Sequence, residues 1–472
     1  MKRVIFWILL LLPCYIKCAQ VEEKLNSALQ NPAVCGASIG IEIVANSGGN
    51  EHKDTACRVP TNETSEWKTI YSYNSEKLLI PASNAKIITA LAALTLLKPE
   101  YRFKTEIYWD SINLYIKGYG DPTLSISDLE EISDKIIEYG IKKIENIFYD
   151  DTYFDKREIS YGWVEENEAY GFNAKISALS LNKNCIKLFI KPRGNKVNFI
   201  LYPKTDFVQV INTAVAGEKD SLYVERKLEN DMNIVTLKGT MKKGGAGETF
   251  VRHIDKPALY TTTIFKEILQ KNGVEINGKL MPKESLDTCN LLYSHFSEPL
   301  IHLVYDMNKG SLNFYADQLI KTIGAEMQGT PGSFEKGIAE VEKFLKTLGL
   351  NEEEFRIYDG SGLSRYNLIS AHGIVKILLK ALELDIKAEF LTSLPIAGVD
   401  GTLKGRLKSS NTIGKVRAKT GTMMNTSSLS GYTTTSQKTP VVFSIIINNY
   451  TCPPQVIKEL QDKIIELIIS EI

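Results

Sequence analysis

A serine and a lysine spaced to share a proton stand at Ser83 and Lys86, within Pro81-Ala82-Ser83-Asn84-Ala85-Lys86. A serine hydroxyl is a weak nucleophile until a neighbouring base takes its proton. Residues three apart lie on one face of a helix, so the Lys86 amine reaches the Ser83 hydroxyl if a helix starts here. Pro81 ends the preceding segment, and Ser83 falls where a helix N-terminus should begin. The run from Ile87 to Leu97 comes next, with Ala90, Leu91, Ala92, Ala93, Leu94, Leu96 and Leu97 making a helix apolar on nearly all sides. Such a helix is buried. A lysine desolvated beside it is favoured in its neutral form, the form that serves as a base. The helix N-terminus adds free N–H groups and partial positive charge near the reacting oxygen.

The pattern alone is weak. Ser-x-x-Lys also occurs at Ser65–Lys68, Ser180–Lys183 and Ser333–Lys336. At an arbitrary position it marks a capping serine and a solvated lysine. What sets Ser83–Lys86 apart is the apolar helix behind it and two later motifs. Ser311-Leu312-Asn313 opens a helical pattern, although Ser-x-Asn recurs elsewhere and an N-cap is its ordinary meaning. Lys419-Thr420-Gly421-Thr422 ends a strand-like run, and Lys-Thr-Gly occurs once in the chain. A cation and a hydroxyl there suit a carboxylate ligand, and a glycine lets a substrate backbone pair along the strand.

Those motifs need a large scaffold. The 472 residues are 43% hydrophobic and 24% charged with zero formal net charge. That composition predicts a soluble globular protein of about two to four domains, with no pull towards nucleic acid or an anionic membrane. Residues 1–19 differ in character. Lys2 and Arg3 precede an apolar run from Val4 to Leu12, the layout of a secretory signal peptide and too short to span a bilayer. Export to a periplasm or cell-wall space is expected, with cleavage near Cys18 to Gln20. Cys14 and Cys18 raise a lipoprotein alternative that Pro13 and Lys17 disfavour. The remaining cysteines, Cys35, Cys57, Cys185, Cys289 and Cys452, are widely spaced, so a Cys35–Cys57 bridge and free thiols both stay open. The five histidines are scattered, and neither a metal nor a cofactor is expected.

Alternating Ile39, Ile41 and Ile43 predict a strand over 36–46, which makes Gly36-Ala37-Ser38-Ile39-Gly40 a strand and not a nucleophile elbow. A long loop from Ser47 to Glu66 leads to a returning strand at 67–73. With residues 20–100 as a first segment, the character changes over 101–300. Two helix–glycine–strand phrases (127–149 and 261–280) flank strand-like segments, which predicts an α/β subdomain (101–178 and 257–300) and a β-rich one (179–256). From 301 to 472 helices are expected over 303–307, 311–323, 333–348 and 371–382, then a three-strand meander at 416–420, 428–434 and 441–448. The last segment, 453–472, is amphipathic. Its acidic residues disfavour a membrane anchor, so core packing is expected.

Ser-x-x-Lys, Ser-x-Asn and Lys-Thr-Gly in that order are the signature of active-site-serine penicillin-interacting enzymes. The chain resembles the low-molecular-mass penicillin-binding proteins, specifically the D-alanyl-D-alanine carboxypeptidase/endopeptidase family with a large insertion between the first two motifs. Here residues 87–310 separate them, where a plain β-lactamase keeps the gap far shorter. The likeness extends to Tyr358-Asp359-Gly360-Ser361-Gly362-Leu363-Ser364-Arg365, Leu394 to Leu403, Gly120 to Leu124 and Asp150-Asp151-Thr152, and so covers nearly all of the mature chain. Leu312 departs from it, since relatives usually carry a polar residue there.

The resemblance implies an α/β (α+β) fold: a transpeptidase/β-lactamase-like domain, its antiparallel sheet flanked by helices, with two smaller inserted subdomains. It implies that Ser83 attacks the carbonyl of the penultimate D-alanine of a peptidoglycan stem peptide and that Lys86 is the base. Ser311 and Lys419 would relay the proton to the leaving amine, and Asn313 would hold the acyl amide and Lys86. Lys419, Thr420 and Thr422 would hold the terminal carboxylate, with Gly421 between them. The N–H groups of Ser83 and Thr422 would form an oxyanion hole, worth about 3 kcal/mol per donor. β-Lactam antibiotics would acylate Ser83 as covalent inhibitors. A β-lactamase or esterase on the same scaffold, and a silent wall-binding protein, are the competing readings.

Overall fold

A computed structural model of the chain describes residues 21–46, 66–163, 169–283 and 289–471. The expected leader, the loop 47–65 and Cys57 lie outside the described residues. Two compact units are present. One takes the described parts of Met1–Pro99, Val304–Ala316 and Ile338–Ile472, and the other takes Glu100–Leu303 and Asp317–Gly337.

The first unit is built on an antiparallel sheet of five strands: β1 (Ser38–Asn46), β2 (Trp67–Tyr73), β3 (Arg417–Met423), β4 (Thr426–Thr434) and β5 (Pro440–Asn448). Their order is β2-β1-β5-β4-β3, which joins strands from both ends of the chain and leaves β3 at an edge. β1, β4 and β5 are buried along nearly their whole length, so both faces of the sheet are covered. Ile39, Ile41 and Ile43 share one apolar layer with Phe443, Ile445 and Ile447 and with Ile457, Leu460, Ile464 and Ile468 of the C-terminal helix (Pro454–Glu471). That helix is a core element. On the other face the helix Ala371–Ala381 meets β1, β4 and β5, and Tyr432 donates its hydroxyl proton to the Leu378 carbonyl at 2.8 Å. The helix α1 (Ala85–Leu96) is buried from Ala85 to Leu94, as its apolar circumference predicts. No helix among the described residues is long and apolar enough to cross a membrane.

The second unit has a five-stranded sheet whose strands run Leu280–Pro282, Ile147–Asp150, Leu114–Gly118, Lys104–Trp109 and Asn290–Phe296. The helices Ile126–Glu138 and Pro257–Lys271 bury Leu129, Ile132, Ile264 and Phe265. The first starts at Ser125, whose side chain accepts from Asp128 N in a capping box, not at Ser127. The strands expected over 144–149 and 274–280 are each broken in two. Lys143–Ile144 pairs with Glu275–Ile276, and Ile147–Asp150 with Leu280–Pro282. The interruptions meet each other: a Cβ on Gly278 would lie 2.2 Å from Asn146 Oδ1. A second five-stranded sheet (Thr240–Lys242, Val215–Gly217, Lys196–Tyr202, Cys185–Arg193, Glu248–His253) and a three-stranded one complete the unit. Apolar residues of both parts, from Ile107 to Ile276, belong to one core cluster.

Candidate active site

Ser83 sits in a single 3₁₀ turn, Ala82–Asn84, that runs straight into α1. Ala82 adopts φ +46°, a left-handed conformation that costs an alanine about 1–2 kcal/mol. Neither Pro81 nor Asn84 caps the helix with its side chain. Ser83 is therefore presented by a tight turn with its Oγ turned towards Lys86. Lys86 Nζ lies 3.0 Å from Ser83 Oγ and donates to Asn313 Oδ1 and to the Ser361 carbonyl, each at 2.6 Å. Lys86 is fully buried.

Two glycines press on this turn from different segments. A Cβ on Gly421 would stand 3.0 Å from Ser83 N and 2.8 Å from Pro81 O, and one on Gly362 would stand 2.0 Å from Ala82 O. Sequence alone reads Gly421 as room for a substrate backbone; a nearer need for that missing side chain is the serine turn itself. Ser428 Oγ donates to Pro81 O at 2.6 Å, and Asn84 Nδ2 donates to Ser430 Oγ at 2.6 Å, so β4 grips the turn from below.

Asn313 begins the helix Asn313–Gln328. Ser311 precedes it as the link from the helix Leu300–Gly310 and takes φ +54°. It is neither an N-cap nor inside the helix, as a helix from 311 would have had it. The left-handed link turns its Oγ to Lys419 Nζ, 2.9 Å away. Lys419 is fully buried on β3 and also donates to Thr420 O at 2.9 Å. Burial pushes the Lys419 pKa well below the lysine range, and the neighbouring Lys86 charge adds to the effect. Thr420 is partly exposed and donates to Thr402 Oγ1 at 2.7 Å, Gly421 is buried, and Thr422 is exposed. Thr420 and Thr422 are the more open residues of the Lys-Thr-Gly-Thr run, next to the buried Lys419 amine. Lys309 ties the loop carrying Thr402 in place through Leu394 O and Asp400 Oδ2, both at 2.7 Å.

Ser83, Lys86 and Asn313 thus form one hydrogen-bonded group and Ser311 with Lys419 a second, the two near enough for Lys86 to act on Lys419 electrostatically, with Thr420, Gly421 and Thr422 along the adjoining strand. The other Ser-x-x-Lys pairs do not join them. Ser333 Oγ accepts from Lys336 N at 3.1 Å as an ordinary cap, and Lys336 Nζ donates to Gly329 O and Pro331 O. Ser180 Oγ donates to Ser177 O inside the second unit, and Ser65 lies outside the described residues.

Residue types alone gave no role to Asp359. Its buried carboxylate accepts from Gly362 N at 2.8 Å, Ser364 N at 2.6 Å and Asn367 Nδ2 at 2.5 Å. That folds Gly360-Ser361-Gly362 into the loop whose Ser361 carbonyl meets Lys86, while Thr89, one turn along α1, donates to Gly360 O at 2.7 Å. The one sequence signal was an aspartate followed by Gly-Ser-Gly, an Asx-turn composition.

The geometry fits proton abstraction from a serine. Lys86 donates to Asn313 Oδ1 and Ser361 O in either protonation state; protonated it also donates to Ser83 Oγ, and in its neutral form its lone pair is left for the Ser83 hydroxyl proton. The Ser311–Lys419 pair offers a second proton path. Among the described residues no cluster of His, Cys, Asp and Glu has the arrangement to hold a metal ion.

The depressed Lys419 pKa has a measurable sign. Between that lowered value and the unfolded value near 10.5 the unfolded chain binds more protons, so raising the pH removes a destabilisation that is complete below the folded pKa. Relative to a Lys419→Met variant, wild type should gain stability with rising pH in that window, by up to about 1.4 kcal/mol per pH unit. Urea unfolding of both proteins across the alkaline range measures this; a flat difference would show that Lys419 titrates normally.

Residues 21–469 match the model of the D-Ala-D-Ala carboxypeptidase 3 (S13) family. A D-alanyl-D-alanine carboxypeptidase of Actinomadura sp. is 31% identical over 463 residues, covering 92% of this chain and 82% of that one. The crystal structure of penicillin binding protein 4 from Haemophilus influenzae superposes with a TM-score of 0.82 at 24% identity, covering 94% of this chain and 99% of that one. A second structure of that protein, complexed with a β-lactam, gives 0.77 at 23% identity over the same shares.

Proposed function

The chain belongs to the D-Ala-D-Ala carboxypeptidase 3 (S13) family, and we propose that its serine peptidase chemistry runs through an acyl-enzyme on Ser83. It is a serine-type D-alanyl-D-alanine carboxypeptidase of peptidoglycan metabolism. The observation that carries the site assignment is Lys86 Nζ, held by Asn313 and Ser361 at 3.0 Å from Ser83 Oγ.

In this reading Ser83 Oγ attacks the carbonyl of the penultimate D-alanine as its proton passes to Lys86. The oxyanion is met by the N–H groups of Ser83 and Thr422. The C–N bond then breaks, and the departing D-alanine nitrogen takes up the proton held by Lys86, relayed through the hydroxyl of Ser311, which Lys419 orients, so that Lys86 is neutral again. The terminal carboxylate rests on the Thr420 and Thr422 hydroxyls near the Lys419 amine, whose protonated form the carboxylate favours. Water attacks the ester, returns a proton to Ser83 and releases the shortened peptide. Cleavage of a cross-link differs only in the group attached beyond the D-alanine carbonyl, so endopeptidase activity belongs to the same site. β-Lactams, which mimic the dipeptide, acylate Ser83 and leave slowly. The expected workplace is the periplasm or cell-wall space of a bacterium, reached by export.

Intact-protein mass after incubation with benzylpenicillin tests this. A persistent one-drug adduct, mapped to the peptide bearing Ser83, together with D-alanine release from a soluble pentapeptide, is the expected result. Fast loss of penicillin without an adduct would make the protein a β-lactamase. An adduct on another residue would refute the nucleophile.

A further inference from the structure

The second unit carries a sheet face that holds none of the candidate catalytic residues. On Cys185–Arg193 the side chains of Lys187, Phe189, Lys191 and Arg193 are exposed, while Ile186, Leu188 and Ile190 point into the core. The paired strand Lys196–Tyr202 exposes Lys196, Asn198, Ile200 and Tyr202. The register sets Lys187 opposite Tyr202, Phe189 opposite Ile200, Lys191 opposite Asn198 and Arg193 opposite Lys196. Cations and apolar side chains therefore alternate on one surface, and no acid stands among these eight outward residues. In a chain of zero net charge this is a local excess of four positive charges. Elsewhere in the unit, Lys117, Lys175, Lys227 and Lys256 pair with Asp150, Asp255, Glu225 and Asp231.

The exposure is large for apolar groups: Phe189 is 45% exposed, Ile200 68% and Tyr202 46%. They do not project from a loop tip. Phe189, Lys191, Arg193, Asn198 and Ile200 line an open concavity of about 680 Å³, together with Gly247 of the glycine-rich turn and Glu248. That size lies within the range of built ligand sites. A concave, cationic floor with rings and aliphatic groups matches a chain that alternates apolar ring faces with carboxylates. A second copy of this protein docking through the same face would bring like charge to like charge, and a flat bilayer would not reach the floor of a concavity.

We propose that this face is a non-catalytic docking site for peptidoglycan, holding sugar faces on Phe189, Ile200 and Tyr202 and stem-peptide carboxylates on Lys187, Lys191 and Arg193. The occupant's identity rests on the carboxypeptidase reading above. The site gives the enzyme a hold on polymer that a short soluble peptide does not use.

The test is co-sedimentation of full-length Ser83→Ala protein with purified insoluble peptidoglycan, with and without Lys187→Glu, Lys191→Glu and Ile200→Ser together. All three positions are exposed, so the fold is spared. The triple change should weaken sedimentation roughly tenfold, and added salt should weaken the parent. In a Ser83-containing background the same changes should leave benzylpenicillin acylation and D-alanine release from soluble pentapeptide unchanged. Equal sedimentation of both proteins would overturn the proposal. So would a triple variant that loses binding only to phosphatidylglycerol-containing vesicles, since the face would then be a membrane contact. Normal sedimentation without acylation or turnover would overturn the catalytic assignment and leave the docking face standing.

Discussion

A Lys86→Met variant should form the benzylpenicillin adduct about 10³-fold more slowly than wild type, within the range for loss of a general base. Ser83→Ala sets the floor, with no adduct at all. Methionine fills much of the volume of the lysine stem, so the buried helix α1 keeps its packing. Three things change together. The Ser83 proton loses its acceptor at 3.0 Å, and the Asn313 Oδ1 and Ser361 carbonyl each lose a donor at 2.6 Å. The protonated form of Lys86, whose like charge helps depress the Lys419 pKa, also disappears, so Lys419 should titrate at higher pH than in wild type. Stopped-flow acylation against pH, with circular dichroism for the fold, reads all of this. Near-normal acylation in folded Lys86→Met would move the base to the Ser311–Lys419 pair.

Legibility in the sequence tracks the range over which each signal acts. β1 was legible because Ile39, Ile41 and Ile43 alternate and face one apolar layer. α1 and the C-terminal helix were legible from their apolar periodicity, and the three serine–lysine–glycine motifs from residue type and order. Strands such as Tyr223–Glu229 were missed because Tyr-Val-Glu-Arg-Lys-Leu-Glu is mostly charged, its pairing with Met232–Lys238 fixed by contacts that spacing does not encode. The left-handed link at Ser311 was also hidden. A non-glycine residue with positive φ carries no local signature, and only the Lys419 contact and the two flanking helices give it a reason.

The same limit applies to the parts that aim the nucleophile. Lys86 is positioned by a backbone carbonyl, and any residue has one. Ser361 is recognisable as a partner only once Asp359 is seen folding Gly360-Ser361-Gly362 against α1. Glycine is readable in sequence, but not what it makes room for. Gly362 and Gly421 come from segments far apart in the chain and close on the same turn: both stand against Ser83 N, Gly362 also against Ala82 O and Gly421 against Pro81 O.

Gly421→Ala should therefore damage catalysis far more than one added methyl suggests. The new Cβ would lie 2.2 Å from Ser428 Oγ, 2.8 Å from Pro81 O and 3.0 Å from Ser83 N. Ser428 can rotate away, at the loss of its bond to Pro81 O. The other two atoms are backbone and cannot, so β3 and the serine turn must separate. Overpacking of this kind costs about 1–3 kcal/mol of stability. Moving reacting groups by about 1 Å costs roughly 10²-fold in rate. The acylation rate by benzylpenicillin should thus fall about 10²-fold in a protein that still folds. Adding Ser428→Ala should restore part of the melting temperature by relieving the shortest contact, but little of the rate, because the contacts with Pro81 O and Ser83 N persist. Recovery of both together would show that Ser428, and not the backbone of the serine turn, is what requires glycine at 421. Unchanged acylation in Gly421→Ala alone would mean that the strand and the turn yield without moving Ser83 from Lys86.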